Sequence, residues 1–384
     1  MVLNNVTLID SDRPVNVRVN GTKIADVSGS GISYKIDHVQ LTFDNALIFP
    51  GLINSHDHLD FNLFPQLGNK IYNNYTEWGK HIHENYKEEI SKVLKVPLLL
   101  REQWGILKNL VCGVTTVVNH GERLQTSNPL ISVHEKYYCL HSVRFEKKWK
   151  LKLNNPLKTK FPVVIHIGEG RDDASYHEIN QLTRWNLLRK TLIGIHAVAM
   201  SESQAKKFKA MVWCPQSNYF LLDKTAPIKR LKDHTPILFG TDSTLTGNWN
   251  IWDHISLARK TEMLTDTELY NSLNINAAII WNTGCKEIKT KEDADIVIAS
   301  RKDKKNGMQA FFTIEPKDIL LVLHKGNIRV FDASLHNQLT QTDITGFSKI
   351  YIDGVCKYVQ SDVPGLIKNI RQYYPEANFP VTIK

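Results

Sequence analysis

Four short apolar runs, each closing on a residue able to bind a metal, constrain this chain more than any other feature. Residues 49–54 lead into Ser55-His56-Asp57-His58, and residues 161–165 lead into His166 with Glu169 three positions on. Residues 192–195 end at His196, and residues 236–241 end at Asp242. Continuous rather than alternating apolar runs are the mark of parallel strands buried on both faces. Residues 211–214 read as a further buried strand, and stretches such as SESQAKKFKA and APIKRLKD between the runs have a helical character. Strands alternating with helices, with every polar residue at the C-terminal end of its strand, are the layout of a (β/α) barrel whose chemistry lies on that face.

The His-x-His pair gains its meaning from the strand. Alternate side chains of an extended chain point the same way, so His56 and His58 can hold one ion together. A second pair serves as a control: His81 and His83 lie in YTEWGKHIHENYKEEISKVL, which reads as a helix. Helical neighbours two apart diverge by about 200°, so these two read as solvated residues on a helix face. A single His after a strand is more often a cap or a core residue, but four such residues at the same end of separate strands do not fit four accidents.

The order PGLINSHDHLD, GVTTVVNHG, HIGE, GIHA, WCPQSN and APIKRLKDHTPILFGTDS, closed by EDADIVIAS, resembles the amidohydrolase superfamily over most of the chain. Within it, the motifs are most similar to the branch of cytosine deaminase, guanine deaminase and the triazine hydrolases. The resemblance implies a TIM-type barrel in which His56, His58, His166 and Asp242 bind one divalent ion, with Glu169 and His196 as the catalytic pair and Asp242 sharing in proton transfer. Neutral imidazoles with one carboxylate suit zinc or iron(II). The His-x-x-Glu spacing of HIGE, with no lysine at a strand end between 140 and 160, favours one ion over two. Such an ion lowers the pKa of its water from about 15.7 to about 7. Glu169 would carry a proton from that water to a ring nitrogen and then to the departing amine, while His196 would hold or polarise the substituent on the attacked carbon.

These features lead to the expectation of a metal-dependent hydrolase of a non-peptide C–N bond, deaminating a heteroaromatic or cyclic amidine substrate. A cyclic amide or triazine-type hydrolase is the alternative, and a scaffold without catalysis the least favoured reading, since every ligand is present. His120, Arg144, Arg171, Trp249 and Trp252 follow strand ends and are the expected substrate contacts. Only KKWKLKLNNPLKTK stands between a strand at 137–145 and the His166 strand. The barrel is therefore expected to be reduced around strand four, with a pocket open on that side. Trp249, Trp252 and the lysines would then suit a planar ring bearing an acidic group.

Both chain ends alternate in the manner of half-buried strands. They imply a small β-sandwich of residues 1–49 and 290–362 around a barrel of 50–289, with 363–384 as a C-terminal helix and tail. The formal net charge of +9 is spread along the sequence and reads as a solvated face, with no nucleic-acid partner expected. No apolar run reaches the roughly 18 residues needed to span a bilayer, so no membrane partner is expected, and a homodimer stays open. Five cysteines without CxxC spacing and a start lacking the features of a signal peptide imply the cytoplasm.

Overall fold

A computed structural model describes residues 1–29, 39–302 and 306–383; parts of the expected accessory unit (30–38 and 303–305) and Lys384 of the tail lie outside it. Four strands open the chain: β1 (Val2–Leu8), β2 (Pro14–Asn20), β3 (Lys23–Gly29) and β4 (Gln40–Pro50). The barrel follows, with β5 (Leu52–Asp57), β6 (Val114–Asn119), β7 (Ser132–His134), β8 (Tyr138–Ser142), β9 (Val163–Ile167), β10 (Leu192–His196), β11 (Ala210–Trp213) and β12 (Ile237–Phe239). Five more strands return to the first sheet: β13 (Ile296–Ser300), β14 (Ile319–His324), β15 (Asn327–Asp332), β16 (Ser348–Ile352) and β17 (Val355–Val359).

Strands from the two ends share one nine-stranded sheet in the order β16-β17-β15-β14-β13-β4-β1-β2-β3. Its centre is the antiparallel pairing of β4 with β13, which runs from Ile296 opposite Pro50 to Ser300 opposite Ala46. This sheet has its own apolar cluster, including Leu3, Val17, Phe43, Ile296 and Phe331. β4 leads through Gly51 directly into β5, so the sheet and the first metal-competent strand are joined without a loop.

The barrel wall consists of two parallel sheets, β5-β6-β7 and β12-β11-β10-β9-β8. The chain after β12 turns back on β5, where the amides of Thr241 and Asp242 both donate to His56 O at 3.1 and 3.0 Å. Every residue of β5, β6 and β9 to β12 is buried, which is why β9 to β12 are apolar apart from His166 and His196, while β5 and β6 also bury polar residues such as Asn54, Asp57, Thr116 and Asn119. The other side of the wall explains the short spacing seen in the sequence. Only residues 135–137 separate β7 from β8, whereas a parallel crossover needs a dozen or more. The two strands therefore occupy one position in the wall, β7 pairing with β6 and β8 with β9. The reduction lies in a strand shared between two neighbours and in the missing helix between its halves.

Three helices fill the β5–β6 connection: α1 (Tyr75–Asn85), α2 (Lys87–Leu94) and α3 (Leu98–Val111). α4 (Trp149–Leu153) precedes β9, and α5 (Asp173–Trp185) precedes β10. α3 lies so close to the turn after His58 that a Cβ on Gly105 would stand 2.1 Å from Leu59 O, and only glycine permits that approach. At the barrel floor, Trp281 donates to Ser55 Oγ at 3.1 Å and packs with the inward residues Ile53, Val118, Val164 and Ile193. The C-terminal helix Val363–Tyr373 buries Val363, Leu366, Ile367 and Ile370, and beyond it Phe379 meets Trp104 edge-on at 4.7 Å. Among the described residues, no helix is long and apolar enough to cross a membrane.

Candidate active site

The ends of β5 and β9, with the turn after β12, bring His56, His58, His166 and Asp242 together. His166 Nε2 lies 3.3 Å from His56 Nε2 and 3.4 Å from His58 Nε2. Asp242 Oδ1 lies 3.6 Å from both His56 Nε2 and His58 Nε2. Separations of this size suit donors of a divalent ion, and ligand atoms of His56, His120 and His166, and of His56, His196 and Asp242, also lie within 4.8 Å of one another.

Hydrogen bonding supports that fit. His166 Nδ1 donates to His141 O at 2.9 Å, so the neutral ring turns a bare Nε2 toward the cluster. Ser217 Oγ and Thr246 Oγ1 donate to Asp242 Oδ2 at 2.8 and 3.0 Å, leaving Oδ1 to face the histidines. Partners of this kind orient ligands and raise their basicity. Burial, reinforced by neighbouring imidazoles, lowers His58 to about 3 and His166 well below 6.5. Both shifts favour the neutral imidazole that ligation requires. Against its own burial, the side chains of His56, His58 and His196 hold Asp242 well below the usual carboxylate range.

His196 and Glu169 stand beside the cluster, with His196 Nε2 3.6 Å from Glu169 Oε1. Burial first, then the charges of Asp242 and Glu178, raise Glu169 well above 4.5, which favours a carboxyl that carries a proton. His196 Nδ1 donates to Asn218 Oδ1 at 2.9 Å. Its Nε2, grouped in space with donors of His56 and Asp242, is therefore an acceptor or a ligand. His196 and Asp242 have φ of 70° and 59°, a left-handed backbone that costs of order 1–3 kcal/mol outside glycine and clusters at functional sites.

Asp57, the residue between the two histidines, points away from the cluster to a buried partner. Lys108 Nζ on α3 lies 3.1 Å from Asp57 Oδ2, with the side chains 1% and 0% exposed. Asn109 and Asn62 also donate to Asp57, at 2.7 and 2.8 Å. The sequence reading missed this pair, although Lys108 stands within the apolar stretch ILKNLV that signals burial.

A cleft of about 560 Å³ opens above His58, His166, Glu169, His196 and Asp242. Its walls include Phe61, Tyr75, Trp78, Ile82, Phe145 and Leu245. α1 crosses the side expected to be open, its Gly79 against the Phe145 ring. His83 and Lys80, both exposed, stand at the rim of the cleft on α1, as a solvated residue would, whereas His81 is half-buried with its ring against Tyr72. His141, unassigned from sequence, also lines the cleft.

The expected substrate contacts lie elsewhere. Trp252 is buried in the core against Phe49 and Phe311, and Trp249 packs half-buried on the same cluster. Arg144 Nε pairs with Glu178 at 3.0 Å, and Arg171 Nη1 donates to Leu222 O at 3.4 Å. His120 is buried beneath the cluster, 4.3 Å from His166 between ring centroids, with Nε2 3.2 Å from Cys139 Sγ and Nδ1 unpartnered. None of the five lines the cleft, and neither do the lysines of 147–160. The expected pull on an acidic ring substituent thus loses its carriers.

No family model matches the chain. It is 22% identical over 381 residues to a 5'-deoxyadenosine deaminase of Methanococcus maripaludis, covering 82% of this chain and 85% of that protein. A zinc-bound adenosine deaminase from Xanthomonas campestris superposes with a TM-score of 0.69 at 14% identity, covering 98% of each chain. An atrazine chlorohydrolase from Arthrobacter aurescens, complexed with zinc, superposes at 0.72 and 14% identity over 97% of this chain and 100% of that one. The relatives along most of the chain and the shared fold agree with the likeness to the amidohydrolase superfamily that the strand-end motifs carry.

Proposed function

We propose that this protein is a metal-dependent hydrolase that deaminates a heteroaromatic amine. The observation that carries the reading is the buried Glu169 carboxyl beside a four-donor cluster at the base of an apolar cleft. His56, His58, His166 and Asp242 would hold one divalent ion, zinc by preference and iron(II) as the alternative. That ion would supply an acidified water as nucleophile. Asp242 would take the first proton of the nucleophile; the Glu169 carboxyl gives its proton to a ring nitrogen, takes the second from the added hydroxyl and passes it to the leaving amine, and the proton on Asp242 restores Glu169. His196 Nε2 accepts from the nucleophile and orients it, while Asn218 holds the ring in place. Phe61, Tyr75, Trp78 and Phe145 stack on the ring and exclude water.

The curated relatives named as 5'-deoxyadenosine deaminases make aminopurine nucleosides without a charged 5' group the first substrates to test. A neutral amine also suits the apolar walls. The likeness to an atrazine chlorohydrolase keeps triazine hydrolysis as a second reading, because attack on an sp² carbon is common to both. The test is ammonia release from aminopurine, aminopyrimidine and aminotriazine panels by zinc-loaded and iron-loaded protein. Glu169→Gln should retain about one ion per chain and lose roughly 10²- to 10⁴-fold in kcat. Normal turnover by that variant would refute the proton-carrying role, and two tightly bound ions would refute the one-ion site.

A further inference from the structure

The chain's positive charge collects in three dimensions although it looks dispersed along the sequence. Residues 146–160 and 184–190 carry nine lysines and arginines against the single acid Glu146, which is +8 of the chain's +9. Asn154 joins the two segments: its Nδ2 donates to Trp185 O at 2.8 Å, and its Oδ1 accepts from Leu187 N at 3.0 Å. Lys190 Nζ donates to Asn155 O at 2.9 Å, and Lys150 Nζ lies 4.1 Å above the Trp185 ring. The six lysines of 147–160, with Arg184 and Arg189, are exposed.

Large apolar side chains stand among these cations. Leu157 is 88% exposed, Leu151 73% and Leu187 66%, with Leu188 and Trp185 beside them. A lone exposed leucine needs no explanation, but a cluster ringed by charge marks an interaction site. The patch lies toward the N-terminal ends of β9 and β10, since Lys190 and Phe161 each stand two residues before a strand. His166 and His196 are at the opposite ends of these strands.

We propose that this face docks on an anionic lipid bilayer, the lysines and arginines against headgroup phosphates and the leucines with Trp185 in the acyl boundary. Interfacial binding of this kind combines basic side chains with Trp and Leu. A second copy of the chain is disfavoured, because two such faces repel. A nucleic acid would engage the cations but leaves the protruding leucines without a role. Docking here turns the cleft away from the bilayer, so turnover of a dissolved substrate is unchanged and the proposal stands or falls apart from the deaminase reading.

The experiment is co-sedimentation of the full-length, zinc-loaded protein with vesicles of phosphatidylcholine alone or mixed with phosphatidylserine. Binding to the mixed vesicles only, weakening with salt, is expected. Lys150→Ala with Lys158→Ala should lower the partition roughly 25-fold, about fivefold for each cation near the surface. Leu157→Ser with Leu187→Ser, at constant charge, should lower it by about tenfold or more if both side chains enter the acyl boundary. Brominated lipid in mixed vesicles should quench tryptophan emission of the unmutated protein. No binding to mixed vesicles, or equal binding to neutral ones, overturns the proposal. So does a leucine variant that binds as the parent does, or a face that captures duplex DNA or RNA but no vesicles.

Discussion

The Asp57–Lys108 pair makes a quantitative demand on this fold, because it lies fully buried directly behind the two histidines of β5. Lys108→Met keeps most of the side-chain volume and removes the ammonium, so no large cavity complicates the comparison. Breaking a buried pair by deleting one partner costs about 3–5 kcal/mol. Asp57 would keep Asn109, Asn62 and a longer contact to Asn54 at 3.3 Å, which sets the expected loss near the lower end, about 3 kcal/mol. Asp57→Asn is the harsher change: it leaves the ammonium with the Asn62 oxygen at 3.0 Å, for an expected loss of about 5 kcal/mol. The double variant removes both charges and should recover to within about 1–2 kcal/mol of the parent, since a buried pair and an apolar substitute are often nearly equal in stability. Urea unfolding by circular dichroism, with EDTA so that metal binding adds nothing, measures all three variants. A Lys108→Met loss below about 1 kcal/mol would show that the pair is solvated or absent and would refute the reasoning.

Burial first of all raises Glu178 from 4.5 to about 7, against the pull of Arg144. Between those values the native state holds a proton that the unfolded chain has released, so this contribution is complete below pH 4.5 and is lost as pH rises through 7. Glu178→Gln should flatten that slope and leave the variant up to about 3 kcal/mol less penalised at pH 8, which pH-dependent urea midpoints will check. Ser217→Ala removes a donor to Asp242 and should weaken zinc binding about 10- to 100-fold, read by competition with a chelating dye; unchanged affinity would mean that Asp242 needs no orientation. A Cβ on Gly79 would meet the Phe145 ring at 3.3 Å, so Gly79→Leu should displace α1 and raise KM. A normal KM for Gly79→Leu would show that α1 does not close the cleft.

How much of this was readable in the amino-acid order depends on range. His56, His58, His166 and Asp242 were recognisable because each ends a strand whose burial on both faces makes it apolar, and the strand's alternation decides the direction of the side chain. The two-halved strand at 132–142 was half visible: the shortage of residues before β9 signalled a reduced wall, but which strand was shared depends on pairing with β6 and β9. Trp252 was misplaced because the loop after a strand end looked like pocket, although Ile251, Trp252, Ile255 and Ala258 carry the helical spacing of a buried face. Tyr75, Gly79 and Ile82 on α1 carry the same signal, obscured by the charges between them. The cationic face was legible only in its first half, the lysines of KKWKLKLNNPLKTK, because residues 184–190 join it through Asn154, Asn155 and the Lys150–Trp185 contact.

The shortened wall and the helix across the cleft are connected physically. With β7 and β8 sharing one position, the short α4 that follows them buries Trp149 and Leu153, and the chain between β8 and α4 brings Phe145 against Gly79 of α1. α1 in turn is tied to the loop after β9: Tyr75 N donates to Glu169 O at 3.1 Å, and Arg171 N donates to Asn73 O at 2.7 Å. The Asn74 side chain caps α1 by accepting from Thr76 N and Glu77 N. The segment that closes the cleft therefore holds the backbone of the residue assigned as proton carrier. A displacement of α1 would strain the Tyr75–Glu169 bond, so the position of this wall and that of the Glu169 backbone are linked through one hydrogen bond.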